Sequence, residues 1–178
     1  MNEFCRVYGE ALFELATERK EEKSLLNQLK AISTILEENE EYQQLMGNYS
    51  IPLQERIRMI DNAFAGHISD SLLNFLKILC ERGAFRQYSG CVHAFENLYN
   101  AANNIEPVII TSAIELNDDQ KERIVSVLSN KTGKTIQLTV KVDPNVRGGL
   151  RCEMSGRRFD NTIETRMDIL RRVLSERS

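Results

Sequence analysis

Through roughly the first hundred residues the apolar positions recur at helical spacing, and beyond them the spacing changes to that of strands. Phe4, Val7, Tyr8, Ala11, Leu12, Leu15 and Ala16 form one continuous stripe, which predicts a helix from about Glu3 to Thr17. A second helix starts near Ser24, with Leu25, Leu29, Ile32 and Leu36 on one face. Asn39 is placed to cap a short third helix carrying Tyr42, Leu45 and Met46, which Gly47-Asn48 stops. Pro52 suits the first turn of a fourth helix presenting Ile57, Ile60 and Phe64 and ending at Gly66. Ser69 or Asp70 caps a fifth, which Gly83 closes. A sixth begins near Phe85 and carries Tyr88, Val92, Phe95 and Tyr99 along one side.

The polar segment Ala101-Ala-Asn-Asn104 is a natural boundary. Val108 to Ile114 reads as a strand with apolar residues on both faces, as expected of a covered one. Asn117 and Gln120 have capping-box spacing and open a helix through Ile124, Val127 and Leu128, which Gly133 ends. Ile136, Leu138, Val140 and Val142 alternate with polar residues, Asp143-Pro144-Asn145 turns the chain, and Leu150, Cys152 and Met154 alternate again. Gly148-Gly149 reads as a bulge or close approach at the start of that strand. After a turn at Ser155-Gly156, Asn161 and Glu164 have capping-box form. Ile163, Met167, Leu170, Val173 and Leu174 then follow as a last helix. The fold expected is α+β, mostly α: a six-helix bundle over residues 1–104, followed by a small β-α-β-β-α domain over 105–178.

Composition narrows the function classes. At 178 residues, 42% hydrophobic and 28% charged, the chain has an ordinary globular balance. No apolar run approaches the roughly 20 residues that span a bilayer. Neither a signal peptide nor an acid-poor transit segment opens it, so a cytoplasmic protein is expected. Cys5, Cys80, Cys91 and Cys152 have no metal-ligand spacing and are expected as free thiols, with Cys80 and Cys91 in the core. The net charge of −3 is unevenly spread: 10 Lys and Arg against 15 Asp and Glu in residues 1–104, but 8 Arg against 5 acids in 147–178. His67 and His93, the only histidines, are expected on the surface. The carboxylate pairs Glu21-Glu22, Glu37-Glu38 and Glu40-Glu41 read as solvated charge, and Gly148-Gly149 lies in no nucleotide-binding motif. No catalytic set stands out, and no cofactor or metal is expected.

The fifth helix is broadly apolar: Leu72, Leu73, Phe75, Leu76, Ile78 and Leu79 cover more than one face. Either it is the central helix of the bundle, or part of it is left exposed as a groove for a partner helix.

Three motifs resemble one family. Val142-Asp-Pro-Asn-Val-Arg-Gly-Gly-Leu150 with Phe159-Asp-Asn-Thr-Ile163 and the following Arg-rich helix is similar to the C-terminal signature of the delta subunit of F-type ATP synthases, relatives of the oligomycin-sensitivity-conferring protein. Val7-Tyr-Gly-Glu-Ala-Leu-Phe13 is similar to the family's opening, and Leu73-Asn-Phe-Leu-Lys-Ile-Leu79 with Glu81-Arg-Gly83 to its fifth-helix motif. Arg147 stands where an apolar residue is usual, and Asn161 where Gly is common. The resemblance implies a non-catalytic stator subunit, peripheral on the cytoplasmic side of a bacterial plasma membrane and present in one copy in the complex. It implies that the first and fifth helices hold an N-terminal helix of an alpha subunit, at Tyr8, Ala11, Asn74 and Ile78. It also implies that the C-terminal domain holds the C-terminal ends of the b subunits of the peripheral stalk. There Ile163, Met167 and Leu170 are divided between packing on the sheet and touching the partner. Two other classes compete. One is a nucleic-acid-binding adaptor using the basic tail, whose binding would fall steeply with salt. The other is an enzyme with a site between the domains.

Overall fold

The computed structural model describes residues 2–146 and 149–160. It divides into two compact units, the first ending at Tyr99 and the second beginning at Asn100.

The first unit holds α1 (Glu3–Arg19), α2 (Glu22–Glu38), α3 (Glu40–Met46), α4 (Leu53–Phe64) and α5 (Asp70–Glu81). A 3-10 turn at Phe85–Gln87 leads into α6 (Tyr88–Ala102), whose last turn passes the division. The stripes that the spacing predicts are buried only in part: on α1 the inward set is Cys5, Gly9, Leu12 and Ala16 while Val7 and Ala11 are exposed, and on α3 Met46 is buried while Leu45 is exposed. Leu12 and Ala16 share one core with Leu25, Leu29, Ile32 and Leu36 of α2, Ile60 and Phe64 of α4, Leu72, Leu76 and Leu79 of α5, and Tyr88 and Phe95 of α6. The Tyr88 hydroxyl, driven well above the usual phenol range by burial, donates to the Leu29 carbonyl at 2.9 Å. α1 runs past Thr17 to Arg19 because Lys20 takes a left-handed conformation that closes it with bonds to the Ala16 and Thr17 carbonyls. Asn39 does not cap α3 with its side chain: its Nδ2 donates to the Ile35 carbonyl at 2.8 Å and so finishes α2 instead. Pro52 sits at the N-cap of α4, just ahead of the first turn.

Arg56 is a buried charge that forms no ion pair among the described residues. Its Nη1 donates to the Met46 carbonyl at 2.8 Å and its Nε to the Ile51 carbonyl at 3.2 Å, and its guanidinium lies 5.7 Å from the Tyr49 ring centre. It thereby pairs the orphan carbonyl at the end of α3 and holds the α3–α4 connection.

The described residues of the second unit form a four-stranded sheet with one helix between its first two strands. β1 (Ile105–Ser112) pairs parallel with β2 (Thr135–Val142) and antiparallel with β3 (Leu150–Met154), which pairs with β4 (Arg157–Asp160), giving the order β2-β1-β3-β4. Between β1 and β2 runs α7 (Asp118–Thr132), opened by the expected Asn117–Gln120 capping box and closed by Gly133 at φ +68°. Its Ile124, Val125 and Leu128 cover Val108, Ile110 and Ile136 on one sheet face. β1 starts earlier than expected and is not covered equally on both sides: Val108 and Ile110 are buried, whereas Ile109 is half-buried and Pro107 exposed. The Asp143 turn forms as read, with the Asn145 amide donating to Asp143 Oδ1 at 2.9 Å.

Strand β4 is an addition to the expected β-α-β-β-α order. Ser155 at φ +50° and Gly156 at φ +71° make a two-residue turn whose two positive φ values match hairpin twist, so β3 folds straight back on itself. The expected last helix, with Ile163, Met167 and Leu170, lies outside the described residues. Glu106 is buried on β1. It accepts from Lys134 Nζ at 2.7 Å and from Ser155 Oγ at 2.5 Å, tying β1 to the start of β2 and to the hairpin turn.

Candidate functional site

α1 and α5 leave a concavity of about 270 Å³ between them, and all four groove residues expected from sequence line it: Tyr8 and Ala11 on α1, Asn74 and Ile78 on α5. Their placement follows from two helical stripes with different jobs. On α1, Cys5, Gly9, Leu12 and Ala16 face inward, which turns Ala11 outward and leaves Tyr8 and Leu15 half-buried at the edge. On α5, Leu72, Phe75, Leu76 and Leu79 are buried, which turns Asn74 and Ile78 outward. The broad apolar surface of α5 therefore serves both purposes: most of it is core, and Ile78, at 41% exposure, is groove wall.

Leu12 and Phe75 form the floor. Tyr8 is held by Phe4, its ring stacked at 4.2 Å between centres and 25° between planes. At the far end the groove turns polar. Arg19 Nη1 donates to Ser71 Oγ at 2.9 Å, Ser71 Oγ donates to Glu21 Oε1 at 3.4 Å, and Asp70 stands at the start of α5. Leu15, Arg19 and Ser71 also line the groove and are not among the groove residues expected from the sequence, Leu15 being expected only as part of the α1 stripe. Their signal was there as periodicity, since 8, 11, 15 and 19 share one face of α1, and 71, 74 and 78 one face of α5.

An apolar floor, one small residue that allows close approach, an aromatic anchor and one polar end suit an amphipathic helix. Among the described residues, no group of three His, Cys, Asp or Glu is arranged to hold a metal. His93 is largely exposed, 4.0 Å from Glu96, and His67 is exposed as well. Of the Arg-rich end, Arg151, Arg157 and Arg158 are described, and Arg158 pairs with Glu153 at 2.7 Å. A larger concavity, about 510 Å³, lies between α2 and α4 around Ile35 and Phe64. None of its lining residues belongs to the sequence-predicted set.

Among the described residues the chain is a helical bundle followed by a small α+β unit. Residues 5–174 match the family model for the ATP synthase delta (OSCP) subunit, and the chain belongs to that family. It is a structural subunit of an ATP synthase, not a catalytic one. The chain is 30% identical over 171 residues to the ATP synthase subunit delta of Lachnoclostridium phytofermentans, covering 95% of this chain and 93% of that one. It is 30% identical over 169 residues to the subunit delta of Desulforudis audaxviator, with the same coverage. In fold it resembles a chain in the cryo-EM structure of the Toxoplasma gondii mitochondrial ATP synthase hexamer (TM-score 0.74, 17% identity, 97% of this chain and 98% of that one). The membership sets aside the nucleic-acid and enzyme readings. Among the described residues no helix is long and apolar enough to cross a membrane.

Proposed function

We propose that this protein is the stator link of a proton-driven F-type ATP synthase. The bundle, residues 1–104, docks on the catalytic head by receiving the N-terminal helix of an alpha subunit in the α1–α5 groove. Residues 105–178 grip the C-terminal segments of the b subunits. The protein acts once per complex, peripherally, on the cytoplasmic face of a bacterial plasma membrane. Its work is mechanical: the rotating shaft puts torque on the head, and the link keeps the head from turning with it. Such a link needs two interfaces and no reacting groups.

The observation that carries this reading is the convergence of Tyr8, Ala11, Asn74 and Ile78, from two helices about sixty positions apart in sequence, on one open apolar concavity. Ala11 is exposed and ends at Cβ, so a helix laid in the groove can come close there, and Tyr8 is of the type that anchors interfaces. The test is a titration of the purified protein with a synthetic peptide of the alpha N-terminal helix, native against Ala11→Trp. Binding by the native chain and loss of at least tenfold in affinity by the variant, with circular dichroism unchanged, is the expected result. No binding by the native chain overturns the assignment of the groove. A parallel titration with a peptide from the C-terminal end of the b stalk helix tests the second interface, and its failure overturns that half alone.

A further inference from the structure

Two of the buried cysteines lie against each other where α1 packs on α6. Cys5 is in the first turn of α1 and Cys91 in the first turns of α6; both are free thiols, 5% and 1% exposed. Cys5 Sγ approaches the Gln87 carbonyl at 3.7 Å, four residues before Cys91. The helix backbones come together at this point. A Cβ placed on Gly90 would lie 2.6 Å from Cys5 Sγ, and one on Gly9 would lie 2.5 Å from Ala94 Cβ and 3.0 Å from the Cys91 carbonyl. Close backbones are what a disulfide requires, since its Cα atoms must stand about 4.4–6.8 Å apart.

We propose that Cys5 and Cys91 are an oxidative modification site, at which a hydroperoxide converts the thiol pair to a disulfide that ties α1 to α6. The thiolate of Cys5 attacks the terminal oxygen of the peroxide. The O–O bond breaks, Cys5 becomes a sulfenic acid, and an alcohol (or water) leaves. The Cys91 sulfur, giving up its proton, then attacks the sulfenic sulfur; the S–S bond forms and the hydroxyl departs as water. Two thiols lose two electrons and the peroxide gains them.

The order follows from position. Cys91 is the deeper thiol, pushed up to about 12 by burial first and then by the charge of the neighbouring Cys5, so it makes a poor first nucleophile. Cys5 sits in a terminal turn, the part of a helix that opens most readily and the part an oxidant can reach. Reclosing brings the sulfenic acid back against Cys91, its nearest thiol. The resulting loop spans nearly the whole bundle, so the cross-link removes much freedom from the unfolded chain. It also fixes the first turn of α1 beneath Tyr8, without entering the groove.

The experiment uses the full-length protein, fully reduced, exposed to hydrogen peroxide, blocked with an alkylating reagent and mapped by mass spectrometry under non-reducing conditions. Expected are a chain lighter by two hydrogens, one cross-linked peptide pair joining Cys5 to Cys91, and a higher thermal midpoint that reductant reverses. Cys91→Ala should instead accumulate oxidised Cys5, and Cys5→Ala should leave Cys91 alkylatable. The half-buried Cys152 serves as an internal clock. If Cys152 oxidises while Cys5 and Cys91 both stay reduced, or if the cross-link joins either of them to Cys80 or Cys152, the proposal is overturned. This outcome is independent of peptide binding in the groove.

Discussion

Gly9 of α1 and Ala94 of α6 meet so closely that a Cβ on Gly9 would stand 2.5 Å from the Ala94 Cβ. Neither partner can move aside: one is a methyl fixed to its helix, and the Cys91 carbonyl and Phe95 amide lie 3.0 and 3.2 Å away. Gly9→Ala gains about 0.5–1 kcal/mol of helix propensity and meets an overpacking cost of about 1–3 kcal/mol. The sum is a loss, so the bundle should unfold at lower denaturant. Adding Ala94→Gly should recover part of that loss, which a double-mutant cycle measures as a favourable coupling. Additive effects would mean that the two helices can separate freely here.

Arg56 illustrates a different kind of constraint. Its charge is buried, and its bonds to the Met46 and Ile51 carbonyls take the place of an acid. Arg56→Met keeps most of the stem and removes the donors, leaving the Met46 carbonyl in the interior with only the Cys80 thiol at 4.0 Å. Hydrogen bonds to a charged group contribute about 1.5–3 kcal/mol, so a loss in that range is expected in chemical denaturation. Lysine should rescue only part, because its single ammonium cannot reproduce the fork that reaches both carbonyls. A fully stable Arg56→Met would show that the loop does not depend on those bonds.

Glu106 makes the second unit sensitive to acid. The hydrogen bond from Lys134, followed by that from Ser155, holds its carboxyl below the usual carboxylate range against the opposing effect of burial. A carboxyl lowered in the folded state is protonated first in the unfolded state, so the unfolded chain binds more protons and stability rises with pH through this range. The contribution is complete above the ordinary carboxylate range and fades as the pH falls through the folded value. Glu106→Gln should lower stability at neutral pH and flatten the decline on the acid side. The checking measurement is denaturant unfolding of both proteins from pH 7 down to about pH 3, followed by a signal from the sheet. Parallel curves would remove Glu106 as the source.

Sequence periodicity made most of this architecture legible, for a physical reason: each long helix of the bundle has a buried stripe, and burial selects apolar residues at fixed spacing. The Asn117 capping box and the stop at Gly133 were legible because local chemistry alone decides them. Three features were not. Asn39 has a side chain suited to cap the next helix, yet the nearer Ile35 carbonyl took its amide. The turn at Ser155-Gly156 is legible, but Arg157-Arg158-Phe159 carries little alternation, so the strand β4 that returns beside β3 is not. Arg56 falls in register with Ile60 and Phe64, at 56, 60 and 64, but an arginine in a core stripe reads as surface until its carbonyl partners are seen. The groove was legible only through resemblance. Tyr8 and Ile78 have the same apolar character as core residues, and which of them the bundle leaves outside depends on how neighbouring helices pack.

That distinction between core and groove can be measured on α5 itself. Leu76 is fully buried and Ile78, two positions on, is 41% exposed. Leu76→Ala removes buried volume and should cost about 2–5 kcal/mol of stability. Ile78→Gln changes an exposed position and should stay within about 0.5 kcal/mol. In a titration with the alpha N-terminal helix the ranking should reverse. Ile78→Gln places an amide in the apolar wall and should weaken binding about tenfold or more, a loss of roughly 1.4 kcal/mol or above. Leu76→Ala, at temperatures where it is still folded, should bind within a few-fold of the native protein. An Ile78→Gln variant that binds normally but unfolds early would make Ile78 a core residue after all, and would move the docking surface away from this face of α5.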